Sequence, residues 1–211
     1  MKIAGSFLKI QDQKDKIENL DKVVDYLHFD IMDGKFTERP TLDLNIMKNN
    51  LDGVTKPIDV HLMTVNVLKY VNAALKFNPS FITFHIEATN EIDMIIKYIK
   101  SHNVKVGLAI NPETDFDEIY PYLDCIDLVL LMSVPPGAGG RKFIDISKKI
   151  NELYEFRRRN NLSFIIEVDG GINDNTIKKV SKADMVVAGS YITDSEDYLE
   201  KVNKLREATY E

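Results

Sequence analysis

Short apolar, β-branched runs alternate with stretches of helical periodicity along the whole chain, and polar residues collect where the runs end. The runs at 2–7, 26–32, 58–62, 81–85, 105–110, 128–132, 163–168 and 185–188 predict eight strands. Between them, apolar residues at helical spacing predict helices, as Ile92, Ile95, Ile96 and Ile99 do over 92–102. The others are expected over 13–20, 42–50, 67–76, 116–123, 146–159 and 177–182, with a last one over 197–207. Such repetition demands a parallel sheet with covered faces, because each crossover helix packs outside it. Eight units in 211 residues predict a single domain, 1–211, closed as a (β/α)8 TIM barrel near that architecture's lower size limit. An open doubly wound sheet is the rival. It would carry a glycine-rich dinucleotide turn after the first strand, and Gly5-Ser6-Phe7-Leu8-Lys9 is no such turn.

Composition narrows the class without changing the fold. A formal net charge of −6 argues against a broad nucleic-acid footprint. No apolar stretch approaches the roughly 20 residues that span a bilayer. The N-terminal residues run straight into strand-like sequence and lack the apolar core of a secretory signal. Cys125 is the only cysteine, so no internal disulfide can form and a reducing cytoplasm fits. It lies between Asp124 and Ile126 with no histidine near in sequence, which points to a structural or incidental role. The expectation is a soluble, cytoplasmic protein that binds neither nucleic acid nor membrane.

The polar residues at the strand ends carry the candidate chemistry. Residues two apart on a strand point to the same side. His28 and Asp30 therefore share one face of the second strand, Asp59, His61 and Met63 share one around the third, and Glu167 and Asp169 one at the seventh. If these faces are the barrel interior, His28, Asp30, His61 and Asp169 converge. A lone strand histidine is usually a hydrogen-bonded core residue. Two histidines and two aspartates in the inward phase are costly to bury unless paired or ligating. As a mixed N/O set they suit one divalent ion, zinc, iron, manganese or cobalt, and not calcium or magnesium. His102 falls at a helix end, where a cap or surface role is expected. His85 ends the fourth strand with Glu87 beyond it, which suggests an outer role near the site.

Glycine turns follow the last three strands: Gly137-Ala138-Gly139-Gly140, Gly170-Gly171 and Gly189-Ser190. Glycine lets backbone N–H groups approach an anion closely, and the loops after strands seven and eight recur as a phosphate site in this architecture. A metal and a phosphate site together point to a sugar phosphate.

With these residues placed, the chain resembles the ribulose-phosphate 3-epimerase family over nearly its whole length. The likeness runs through Ser6, His28-Phe29-Asp30-Ile31-Met32-Asp33-Gly34, Asp59-Val60-His61-Leu62-Met63 and Asn111-Pro112-Glu113-Thr114. It continues in Leu131-Met132-Ser133-Val134, Glu167-Val168-Asp169-Gly170-Gly171-Ile172 and Ala188-Gly189-Ser190. The resemblance implies a ribulose-phosphate-binding barrel and an isomerase of the pentose phosphate pathway. That epimerase inverts C3 of D-ribulose 5-phosphate to give D-xylulose 5-phosphate. It implies that His28, Asp30, His61 and Asp169 ligate the metal and that Asp30 and Asp169 are the acid/base pair. Ser6, His61, Met32, Met63 and Met132 would contact the substrate. Gly139, Gly140, Gly171, Gly189 and Ser190 would bind its phosphate. A homo-oligomer is implied as well.

The chemistry explains the residue types. Inverting a carbon next to a carbonyl removes a proton from one face and returns one to the other, which two opposed carboxylates do without redox chemistry. The enediolate between these steps is stabilised by a nearby cation. Methionines would supply a floor with no proton to donate, the alternative being ordinary core filling.

Three segments depart from the family pattern. After Ser6 the family runs Ile-Leu-Ser-Ala-Asp, where this chain has Phe7-Leu8-Lys9-Ile10-Gln11. After Asp33-Gly34 the family has His-Phe-Val-Pro-Asn, against Lys35-Phe36-Thr37-Glu38-Arg39 here. The glycine turn lacks the family's aromatic at Ala138 and carries Arg141. Lys9, Lys35 and Arg141 either add positive charge for a different or second anionic group or are solvated loop residues. A six-carbon ketose phosphate such as allulose 6-phosphate is therefore the alternative substrate, and a non-catalytic sugar-phosphate sensor the alternative role. Decarboxylation is disfavoured: related lyases use Asp-x-Lys-x-x-Asp after the third strand, and here His61 and Thr64 replace the lysine and the last aspartate.

Overall fold

The computed structural model describes residues 1–137 and 142–209. Eight parallel strands close into a barrel in chain order. They are β1 (Lys2–Ser6), β2 (Tyr26–Met32), β3 (Ile58–Met63), β4 (Phe81–His85), β5 (Lys105–Ile110), β6 (Leu128–Met132), β7 (Ile165–Asp169) and β8 (Met185–Ala188). Ala4 of β1 lies beside Tyr26 on one side and Val187 on the other, so the sheet has no open edge. Closure of this kind bears out the barrel and excludes the open sheet. The seventh strand begins two residues and ends one residue later than its sequence pattern predicts, which makes Asp169 part of the strand end.

The outer layer consists of α1 (Lys14–Asp21), α2 (Leu44–Asn50), α3 (Val67–Ala74), α4 (Ile92–Ser101), α5 (Ser147–Arg159), α6 (Ser190–Thr193) and α7 (Tyr198–Ala208). Helix α4 buries Ile92, Ile95, Ile96 and Ile99, the stripe that predicted it. Asp43, Asn66 and Asp197 cap α2, α3 and α7 by accepting backbone N–H bonds. Two expected helices are 3-10 segments instead, Phe116–Tyr122 and Ile177–Val180. The first contains Pro121, which has no N–H to give an α-helical ladder. The second is four residues long and turns directly toward β8. Among the described residues no helix is long and apolar enough to cross a membrane.

The pleat sorts every strand into two faces. Phe29, Ile31, Val60, Leu62, Ile82 and Phe84 point outward into the apolar layer beneath the helices. The alternate residues point into the barrel, where Ala4, Phe81, Leu128, Leu130 and Met185 fill the end nearer the strand starts. Gly107 is needed there, because a Cβ would come 2.3 Å from Thr83 Oγ1 on the neighbouring strand. The polar residues stand above this plug. Burial of Leu27, Phe29 and Ile31 on the outer face of β2 thus aims His28 and Asp30 inward.

Phe29 is the outward residue between them. It is buried and packs its ring against Phe7 and Phe77, with centroids 5.3 and 5.1 Å away. Phe29→Ala is expected to cost about 3–5 kcal/mol through the cavity it leaves. A urea unfolding midpoint that stays at the wild-type value would contradict that packing role.

Candidate active site

The inward residues of β2, β3 and β7 meet at the C-terminal mouth of the barrel. One ligand atom from each of His28, Asp30, His61 and Asp169 lies within 4.8 Å of all the others. Strand register sets this up, since Asp30 pairs with His61 across β2 and β3. Both histidines are fully buried and Asp169 opens on the pocket above.

The outer partners of the two rings fix which nitrogen faces the centre. His28 Nδ1 lies 2.7 Å from Asp59 Oδ2, to which it donates, leaving the Nε2 lone pair directed at Asp30 Oδ1, 3.4 Å away. That Nε2 has no hydrogen-bond partner. On the other side, His85 Nδ1 donates to Glu87 Oε2 at 3.1 Å, so His85 Nε2 accepts from His61 Nε2–H at 2.9 Å. His61 then turns its Nδ1 lone pair on Asp30 Oδ1 at 3.3 Å. These tautomers follow from the hydrogen-bond network. With both rings neutral, two ring lone pairs and a carboxylate oxygen facing one another repel, and a cation among them, a metal ion or a proton on His28, reverses the sign of the contacts. The residues therefore fit a divalent metal, and the two-nitrogen, two-oxygen donor set suits zinc, iron, manganese or cobalt.

Further groups support the rings. Glu87 is held by the Asn111 N–H at 2.8 Å and by the Thr114 hydroxyl. Lys149 ties the same loop down through the carbonyls of Pro112 and Thr114, at 2.8 and 2.6 Å. Phe36 covers the His85 ring with a centroid distance of 4.8 Å. Below the centre, Glu167 lies 3.9 Å from His28 Nδ1, and His28, Asp59 and Glu167 form a second close group. Burial and the neighbouring Asp59 charge push the Glu167 carboxyl well above its usual range. A protonated acid, with His28 Nδ1 already engaged by Asp59, makes this group a support and not a second centre.

The two pocket-facing carboxylates differ sharply. Burial would raise Asp30, but the charges and hydrogen bonds of His28 and His61 outweigh it and hold the carboxyl low. Ser6 adds a hydroxyl donor to Asp30 Oδ2 at 2.9 Å. Burial and the Asp30 charge push Asp169 up to about 7. The two carboxyls are thus shifted in opposite directions, an asymmetry of the kind an acid/base pair uses. Burial lowers both His61 and His85, the latter to about 4, so His85 is neutral. For His28, the fields of Asp30 and Asp59 outweigh burial and raise it well above the usual value, so without a metal the ring holds a proton at Nε2 facing Asp30, and a bound cation would take that proton's place. The same field favours a metal ion there.

A pocket opens over this group. Met63 and Met132 lie in its wall, as do Ser6, Gly171, Gly189 and Ser190. Met32 instead lines the groove that adjoins it. Gly171 adopts φ +61° and abuts the Phe143 backbone, where a Cβ would come within 2.9 Å, so only glycine suits that turn. Gly139 and Gly140, also expected at the phosphate, lie outside the described residues, as do Ala138 and Arg141. Lys35 lines neither the pocket nor the groove. Cys125 is remote, and burial with the Asp124 charge pushes its thiol up, opposite to an activated nucleophile. The supporting roles of Asp59, Glu167 and Glu87 are not assigned by the strand pattern alone. Their period-two spacing from His61, Asp169 and His85 was the available signal.

Comparison with known proteins extends this picture. The model of the ribulose-phosphate 3 epimerase family matches residues 2–193. The ribulose-phosphate 3-epimerase of Helicobacter pylori is 38% identical over 198 residues, spanning 92% of this chain and 89% of that protein. The Aquifex aeolicus ribulose-phosphate 3-epimerase is 39% identical over 185 residues, spanning 86% and 83%. Among solved structures, 3-hexulose-6-phosphate synthase from Salmonella typhimurium superposes with a TM-score of 0.73 at 18% identity, covering 100% of this chain and 99% of that one. N-(5'-phosphoribosyl)anthranilate isomerase from Pyrococcus furiosus gives 0.67 at 15%, covering 100% and 98%. At such identities these structures share the fold.

Proposed function

The chain belongs to the ribulose-phosphate 3-epimerase family of carbohydrate epimerases, and from that premise we propose that it inverts C3 of D-ribulose 5-phosphate to give D-xylulose 5-phosphate. The observation that carries the mechanism is the convergence of two carboxyls, Asp30 and Asp169, with His28 and His61 on one centre whose donor atoms all lie within 4.8 Å of one another. His28, Asp30, His61 and Asp169 would hold that ion, which supplies positive charge to the oxygens of the enediolate when bound.

The remaining steps belong to the chain's own groups. Asp30, ionised and steadied by the Ser6 hydroxyl, takes the C3 proton from one face. Asp169 delivers a proton to the other face, leaving C3 inverted, and in the reverse direction the two exchange roles. Met63 and Met132 line the pocket beside them, and thioethers can neither donate nor accept the migrating proton. Gly171, Gly189 and Ser190 would receive the phosphate through backbone N–H groups. The groove beyond Gly137 adjoins the pocket and offers room for a longer ketose phosphate, such as allulose 6-phosphate, as a second substrate.

Proton NMR in deuterated water tests the reaction directly. Metal-loaded protein should wash the C3 proton out of ribulose 5-phosphate while xylulose 5-phosphate accumulates. If no ketose phosphate exchanges its C3 proton with iron, manganese, cobalt or zinc present, epimerisation is ruled out.

A further inference from the structure

Where the family pattern has serine, this chain sets a lysine at the phosphate end of the pocket. Lys9 stands three residues past Ser6, on the 3-10 turn Leu8–Ile10. It lines the pocket with Gly171, Gly189, Ser190 and Thr193, and it is the single cationic side chain in the wall among the described residues. The turn is anchored close to that end, since a Cβ on Gly189 would touch Ser6 Cβ at 3.4 Å. The Lys9 ammonium donates to Asp194 Oδ2 at 2.7 Å. Asp194 follows α6 directly and its N–H bonds the Ser190 carbonyl at 3.0 Å, so the carboxylate stands just beyond the Gly189-Ser190 turn.

This ion pair is open to solvent, with side chains 43% and 57% exposed. A pair that exposed holds its partners weakly and is screened by salt. A phosphate ester brings between one and two negative charges and several acceptor oxygens, more than one carboxylate offers. We propose that Lys9 is a specificity-determining cation of the phosphate subsite, released by Asp194 to a phosphate oxygen when a phosphate ester enters. The inference rests on the sugar-phosphate reading of the pocket. Asp194 opposes the ligand in two ways, by competing for the ammonium and by repelling the phosphate. Loss of Lys9 and neutralisation of Asp194 must then act with opposite signs. A lysine that only strapped the β1 loop to the α6 turn would give both changes the same sign, because either one breaks the strap.

Titration of inorganic phosphate into the full chain, followed by calorimetry or phosphorus NMR, reads the two signs. Lys9→Met should raise the Kd about tenfold and flatten its salt dependence, while Lys9→Arg stays within about threefold of wild type. Asp194→Asn should tighten binding about threefold. With ribulose 5-phosphate, Lys9→Met should change KM more than kcat. Unchanged phosphate affinity in Lys9→Met, weakening in Asp194→Asn, or no phosphate binding by the wild-type chain would each overturn the proposal. Its failure is distinct from failure of the epimerase assignment. The expected phosphate series without C3 exchange on any ketose phosphate supports Lys9 and removes only the epimerase; C3 exchange indifferent to Lys9 removes only the cation.

Discussion

Asp30→Asn and Asp169→Asn should each lower interconversion of ribulose 5-phosphate and xylulose 5-phosphate by about 10³- to 10⁴-fold, the scale of a positioned acid or base. The amide keeps the size of the side chain and removes the proton-transfer group. The two-base reading predicts more than inactivity. Each variant retains one carboxylate, so each should still wash deuterium into one epimer while converting neither. Asp30 touches both rings and Ser6, so its variant should also weaken metal binding more than the Asp169 variant. Retention of interconversion within about tenfold of wild type in either protein would remove the two-base assignment. Circular dichroism and the thermal midpoint report whether the fold survives, which separates lost chemistry from lost structure.

Removing the metal should have an effect of the same order. Chelation followed by desalting is expected to cut turnover to about 1% or less, and one equivalent of iron, manganese, cobalt or zinc should restore it. The physical reason lies in the convergence of His28 Nε2, His61 Nδ1 and Asp30 Oδ1 on one point, where a divalent ion would be drawn by the carboxylate and by both ring nitrogens. His61→Ala should abolish stoichiometric metal uptake, measured by elemental analysis. Asp59→Asn should weaken the metal about 10- to 100-fold by releasing the His28 ring from its fixed orientation. A chelated chain that contains no metal and turns over at the wild-type rate would refute the metal's part while leaving the carboxyl pair standing.

These predictions draw on residues that differ in how readable they were. The β-rich runs predicted β2, β4, β5, β6 and β8 with their observed bounds, because long β-branched stretches bounded by polar residues leave little ambiguity. The outer layer was less legible around Pro121 and after Ile177, where 3-10 geometry replaced the expected helices. Helical periodicity reports which residues are buried, and it does not register a missing N–H or a tight exit into the next strand. Helix α6 escaped for a similar reason, being one turn long with no repeat to detect.

The candidate site divides in the same way. Period-two spacing on β2, β3 and β7 determined that His28, Asp30, His61 and Asp169 face inward, and the number of units determined that their strand ends share one mouth. Both are local properties, set by the strand pleat and by chain order. Only the tertiary structure decided that His61 meets His85, 24 residues away in sequence, and that His28 meets Asp59, 31 residues away. Those contacts depend on strand register and ring rotation, which packing of the closed barrel imposes. Likewise, Lys9 and Asp194 are 185 residues apart and become partners because β1 and β8 close the sheet. The sequence alone determined which groups line the centre; closure of the barrel decided which way each one points and what holds it there.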